Sequence, residues 1–256
     1  VNVRCWLAPE LTFLTTYAAP PVGELRWRPP QPASWQGTLD ATRFKPACVQ
    51  IGGSLPGSPP EQNSEDCLGL NIWTPTTRAD EKLAVMVFFR GGRFKNGSSA
   101  PRLYWGDTLA RKGIVFVTVN YRIGALGFLA HPELSAESPH KVSGNYAILD
   151  CIAALKWVKD NIAAFGGDPA NVTVFGQSAG AYLGSELMAS PLANGLFARV
   201  IGMSGADMGV AASVGDMPLK AQAEANGCMR CAESGAPTGT CSRRCHLGRR
   251  LRQWVW

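Results

Sequence analysis

Apolar and polar positions alternate between two regimes along this chain. Residues 84–89 and 114–120 are continuous apolar stretches rich in Val and Phe, the pattern of strands buried on both faces of a parallel sheet. Residues 171–175 and 199–203 are shorter runs of the same kind. Between them the period becomes helical. Ile148, Cys151, Leu155, Val158 and Ile162 trace one face of a helix that Ser143 caps and that runs to about Ala164. Gly166, Gly167 and Pro169 end it. A second helix is predicted from Ser178 to about Ala189, before Pro191. Strands alternating with helices imply an α/β sandwich around a mainly parallel sheet. Residues 1–35, rich in Pro and Trp, read as extended and turn-rich, and residues 51–64 as a Gly/Ser/Pro loop. No internal repeat interrupts the pattern.

Composition narrows the class. The 256 residues are 46% hydrophobic and 17% charged, enough for one large domain or two small ones and unlike a disordered chain. The apolar runs are too short to span a bilayer, and no basic-then-apolar leader follows Val1. The net charge of +6 invites a nucleic-acid reading. Its distribution argues against one: residues 229–256 hold six Arg and one Glu, so they carry +5 of it and the body is nearly neutral.

Candidate chemistry centres on Gly176-Gln177-Ser178-Ala179-Gly180, between the 171–175 strand and the second helix. Gly-x-Ser-x-Gly arises by chance in many chains, but strand–turn–helix is the context of a nucleophile elbow. In such a turn Ser178 projects above the sheet, small residues let the backbones pass closely, and the helix start offers free N–H groups. The Ala179 N–H is then one oxyanion donor. A second oxyanion element is expected after an earlier strand, where Arg90-Gly91-Gly92-Arg93-Phe94 follows the 84–89 run. Taken alone, this segment reads equally as a Gly-Gly turn.

Five segments together resemble the type B carboxylesterase family, the cholinesterase-like branch of the α/β-hydrolase fold. They are Tyr17-Ala-Ala-Pro-Pro-Val-Gly-Glu-Leu-Arg-Trp27, Glu65-Asp-Cys-Leu-Gly-Leu-Asn71, Asn120-Tyr-Arg-Ile-Gly-Ala-Leu-Gly-Phe128, Gly166-Gly-Asp-Pro169 and Phe175-Gly-Gln-Ser-Ala-Gly180, in the family's order. The resemblance implies a central, mostly parallel sheet with helices on both faces and hydrolysis of a small-molecule carboxylic ester through an acyl-enzyme. It implies no metal and no organic cofactor. It places Ser178 as the nucleophile and Gly92, Arg93 and Ala179 as backbone oxyanion donors. Ser204 falls at a buried supporting serine. Cys48 and Cys67 match a loop-closing disulfide, which suits a secreted or extracytoplasmic protein. Arg26 with Glu65, and Arg122 with Asp168, match two structural ion pairs.

The resemblance also exposes departures. Ester hydrolysis by this route needs a histidine and an orienting acid, in the chain order serine, acid, histidine. After Ser178 the only histidine is His246, and no remaining acid sits in a recognisable motif. The triad acid and base are therefore expected to be absent, and turnover weak or nil. Arg90 stands where the family has His or an aromatic residue, and Arg93 where it has Gly or Ala. After Gly227 the resemblance fades and Cys, Arg and Trp become abundant. The expected organisation is an N-terminal part of the hydrolase domain over residues 1–227, truncated or frame-disrupted. A non-native or disordered tail over 228–256 follows it. In that tail Cys228-x-x-Cys231 and Cys241-x-x-x-Cys245 with His246 resemble a zinc set, an alternative left beside the metal-free reading. The competing function is a non-catalytic cholinesterase-like interaction domain.

Overall fold

The computed structural model describes residues 11–37, 39–50, 62–76, 78–206 and 220–233. Eight strands are described: β1 (Leu11–Thr16), β2 (Ala47–Cys48), β3 (Asn63–Ser64), β4 (Gly69–Thr74), β5 (Leu83–Phe89), β6 (Val115–Val119), β7 (Gly167–Gln177) and β8 (Arg199–Met203). The helices are α1 (Asp107–Ala110), α2 (Gly124–Phe128), α3 (Pro132–Glu137), α4 (Tyr146–Asn161), α5 (Ala179–Ala189) and α6 (Lys220–Glu233). Six strands form one sheet in the order β1-β4-β6-β5-β7-β8; β2 and β3 pair separately. From β6 to β8 all neighbours run parallel, while β4 is antiparallel to β6 and β1 to β4.

The runs at 84–89 and 114–120 are the central strands β5 and β6. Their alternation sorts side chains into two cores. Val85, Val87 and Phe89, with Val115, Val117 and Val119, face the same buried cluster as Leu155, Val158 and Leu183 of the long helices α4 and α5. Phe88 and Phe116 point the other way, onto Trp73 and Ala110. There Phe88, Phe116 and Phe175 form a ring cluster with centroids 4.9–6.5 Å apart. Each buried Val or Phe contributes about 1.5–3 kcal/mol of apolar burial, so the paired strands are the best-anchored part of the fold. Helices thus lie on both faces, long ones on the aliphatic side and only the short α1 on the aromatic side among the described residues.

Several boundaries differ from the sequence reading. The helix expected from Ser143 begins at Tyr146. The Ser143 hydroxyl is engaged elsewhere, accepting from the His131 N–H at 3.0 Å and lying 2.8 Å from Ser135 Oγ. Gly166 ends the following 3-10 turn in the left-handed conformation (φ 79°), as its position suggested. Pro169 sits inside β7, where residues 168–171 bulge out of register with β5, so its missing N–H costs no ladder bond. Strands β1 and β4 were not read from the sequence. The former lies in the segment read as turn-rich. His131 caps α3, its ring accepting from the Glu133 N–H. The expected division at 227/228 falls within α6, and residues 234–256 lie outside the described residues. No helix among the described residues is long and apolar enough to cross a membrane.

Candidate active site

Ser178 stands at the junction of β7 and α5 with φ 54° and ψ −122°, a left-handed conformation that costs a non-glycine residue about 1–3 kcal/mol. The surroundings hold it there. The Ser178 N–H donates to the Met203 carbonyl at 2.9 Å, fastening the turn to the end of β8. The Ser178 carbonyl accepts from Ala181 and Tyr182, the first turn of α5. Close backbone approach does the rest. A Cβ on Gly180 would lie 1.8 Å from the Phe89 carbonyl oxygen, and one on Gly176 would lie 2.2 Å from that of Gly180. Only glycine fits at either end of the pentapeptide. Ser178 is half-buried, and none of the described residues hydrogen-bonds its hydroxyl.

The loop after β5 lies against this turn. A Cβ on Gly91 would meet Ser178 Cβ at 3.1 Å, so the two segments touch. Gly92 (φ 115°), Arg93 (φ 55°) and Phe94 (φ 61°) take consecutive left-handed conformations. The Lys95 and Asn96 N–H groups both donate to the Gly92 carbonyl, at 2.9 and 3.2 Å. The Phe94 carbonyl accepts from Gly124 at 2.6 Å, and its ring packs edge-on against Phe128. Carbonyls are thereby turned into the loop's own bonds. The N–H groups of Gly92, Arg93 and Ala179 donate to no other group among the described residues.

The two arginines of this loop differ in setting. The Arg93 side chain is exposed. Arg90 is buried. Its Nη1 donates to the carbonyls of Gly91 (3.0 Å) and Asn96 (2.5 Å), and its guanidinium lies 4.9 Å from the centre of the Tyr121 ring. The Tyr121 hydroxyl donates to the Arg90 carbonyl at 2.7 Å. The cation is thus buried and bonded to two carbonyls of its own loop.

The remaining expected residues divide into agreements and corrections. A 2.08 Å bond joins Cys48 to Cys67. Arg26 donates to both Glu65 oxygens, at 2.6 and 2.7 Å. The pairing of Arg122 with Asp168 is not what the structure shows. Arg122 donates through Nε and Nη2 to Asp150, at 2.8 and 2.7 Å, and its backbone N–H adds a third bond. Asp168 instead accepts from the Ala170 N–H in the β7 bulge. Burial pushes the Asp150 carboxyl up, and the facing Arg122 charge opposes that shift. Burial works against the Arg122 cation as well, and Asp150 overrides it so that Arg122 ends above its ordinary value. Ser204 was expected to be buried; it is exposed, because β8 is the sheet edge among the described residues. Sequence reasoning missed Asp150 as the partner of Arg122. Asp150 is a buried residue of α4, and its pairing across 28 residues of sequence depends on how that helix packs.

Of the histidines, His131 is buried at the start of α3 and His140 follows that helix; neither bonds Ser178. His246 lies outside the described residues, as do Cys241 and Cys245. Among the described residues no group of three His, Cys, Asp or Glu side chains forms a metal site.

A serine in a strained strand–helix turn, on a mostly parallel sheet beside a loop of left-handed residues, places the protein in the α/β-hydrolase class. Comparison with known proteins makes this specific. The chain belongs to the carboxylesterase family, whose family model matches residues 13–248. It is 54% identical over 192 residues to the fumonisin B1 esterase of Sphingopyxis macrogoltabida, covering 74% of this chain and 36% of that protein. It is 46% identical over 194 residues to the para-nitrobenzyl esterase of Bacillus subtilis (strain 168), covering 74% and 39%. The Geobacillus stearothermophilus carboxylesterase EST55 superposes with a TM-score of 0.80 at 38% identity, covering 93% of this chain and 47% of the other. The chain thus spans between a third and two fifths of the length of these curated relatives.

Proposed function

We propose that this chain carries the acyl-transfer centre of a serine carboxylic-ester hydrolase. Ser178 attacks the ester carbonyl, and the N–H groups of Gly92, Arg93 and Ala179 hold the oxyanion that forms. What supports this reading is the left-handed Ser178 turn in contact with the loop at Gly91, together with N–H groups at Gly92, Arg93 and Ala179 that have no acceptor among the described residues. Each such donor supplies on the order of 3 kcal/mol to the transition state. Expulsion of the alcohol leaves an acyl-serine, which water then cleaves. No histidine or acid in a recognisable triad setting follows Ser178 in the sequence, and on this reading the chain alone turns over slowly. The relatives' names support a small ester substrate, and the Cys48–Cys67 bond supports an extracytoplasmic location.

The test is p-nitrophenyl acetate hydrolysis by the purified chain beside Ser178→Ala. A rate above buffer that disappears in the variant supports the assignment. Equal rates in the two proteins would overturn it.

A further inference from the structure

Helix α6 carries a pair of thiols that the proposed esterase does not use. Cys228 is exposed, and its Sγ lies 3.5 Å from Nε2 of the buried His131. The other ring nitrogen, Nδ1, accepts the Glu133 N–H at 3.3 Å. A neutral imidazole that accepts at Nδ1 carries its proton at Nε2, so His131 presents an N–H to the sulfur. Cys231 follows three residues later in the same helix, buried against Trp27, Leu129 and Tyr146. Residues three apart in a helix are neighbours on successive turns with their Cβ atoms about 5–6 Å apart, and a disulfide between them draws these atoms in to about 3.5–4.5 Å.

The seat of this helix is tightly defined. A Cβ on Gly227 would lie 1.9 Å from the Ala130 carbonyl oxygen, so the backbone before Cys228 lies directly on the segment that leads to His131. Ser135 Oγ donates to Glu224 at 2.5 Å, and Lys220 Nζ donates to the Lys141 carbonyl at 2.6 Å. These contacts seat α6 with Cys228 exposed beside the His131 ring and Cys231 buried one turn away.

We infer that Cys228 and Cys231 form a redox-active dithiol that exchanges with low-molecular-weight disulfides, with Cys228 as the attacking sulfur, Cys231 as the resolving sulfur and His131 as a positioning residue. Cys228, as the thiolate, attacks one sulfur of the small disulfide. The reagent's S–S bond breaks, one thiolate leaves, and a mixed disulfide forms on Cys228. The Cys231 thiol gives up its proton to the departing group and attacks Cys228 Sγ, releasing the second small thiol. The protein is oxidised by two electrons and the reagent disulfide is reduced to two thiols.

The test uses oxidised glutathione as the probe on the reduced, folded chain carrying Cys241→Ser. Exchange is stopped with iodoacetamide, and the protein is digested with trypsin. Cleavage after Arg230 separates Cys228 from Cys231, so their disulfide appears as a link between peptide 221–230 and the peptide that begins at residue 231. That link is the expected major product, with Cys151 still reduced. In a Cys231→Ser background the product becomes a glutathione adduct on Cys228, and adding His131→Gln slows its formation at least fivefold. Linkage of Cys228 to Cys5 or Cys245, or a Cys228 that stays reduced, overturns the dithiol. An unchanged adduct rate in His131→Gln overturns the positioning role. The link-mapping on otherwise unaltered protein stands even where the histidine variant folds poorly.

Discussion

Replacing Asp150 by Asn is the sharpest test of how the sheet is braced against α4. Asp150 is wholly buried and Arg122 nearly so, and three hydrogen bonds join them. Asparagine keeps the shape but removes the charge. One of its two side-chain positions then presents N–H groups to a guanidinium that also donates. The Arg122 cation is left buried without its counter-charge, a defect worth roughly 3–5 kcal/mol. A folded unit of this size loses about 2–4 °C of melting temperature per kcal/mol, so a fall of roughly 6–20 °C is expected. Asp168→Asn is the matched control. Asp168 bonds only a nearby backbone N–H at the surface of the β7 bulge, so its change is expected to stay within about 0.5 kcal/mol, roughly 2 °C. Thermal unfolding followed by circular dichroism reads both. A larger loss in Asp168→Asn than in Asp150→Asn, or no loss in Asp150→Asn, would refute the assignment of Asp150 as the partner of Arg122.

Other expectations follow from the same geometry. Gly180→Ala drives a methyl into the Phe89 carbonyl, and overpacking of this kind costs about 1–3 kcal/mol; it should lower the melting temperature and also any Ser178-dependent esterase rate, whereas a wild-type rate would show that the elbow tolerates a side chain. Cys48→Ala in the oxidised protein opens a loop with a sequence separation of 19, for about 3 kcal/mol of lost stability by urea titration. Burial raises the Cys151 thiol well above its ordinary value of 9.0, with Asp150 adding to the shift. Its contribution to stability is therefore full below pH 9 and falls as pH climbs above that value, by up to about 1.4 kcal/mol per pH unit; Cys151→Ala should flatten the fall in melting temperature between pH 9 and 11. Ile201→Lys places a charge on the exposed edge strand β8 and should raise the concentration at which light scattering first detects aggregates.

The sequence disclosed the parts of this fold that depend on local pattern. Val- and Phe-rich runs became β5 and β6 because both faces of a central strand are covered, so each position is apolar. The turn at Ser178 was legible for a different reason: its close approaches admit only glycine, and that requirement is written into residues 176 and 180. Strands β1 and β4 carried weaker signals. Asn71 and Thr118 face each other across β4 and β6, and with Ser99 they satisfy one another inside the core. Polar residues at these buried positions hide the alternation. A buried hydrogen-bonded cluster looks like a loop until the chain that supplies its partners is in place.

The mistaken pairing of Arg122 and the mistaken burial of Ser204 share a physical cause. Arg122 selects its partner through the packing of α4 against the loop after β6, and a carboxylate 28 residues away in sequence has no local signature. Ser204 follows β8, and its burial depends on what covers that strand rather than on its own neighbours. The N–H donors are the opposite case. Whether Gly92, Arg93 and Ala179 can bind an oxyanion depends only on the backbone, and the side chain at 93 points to solvent. In the proposed site, an arginine side chain at 93 therefore removes no backbone donor. Arg90, bonded to two carbonyls of the same loop, turns a departure from the family pattern into a brace for it.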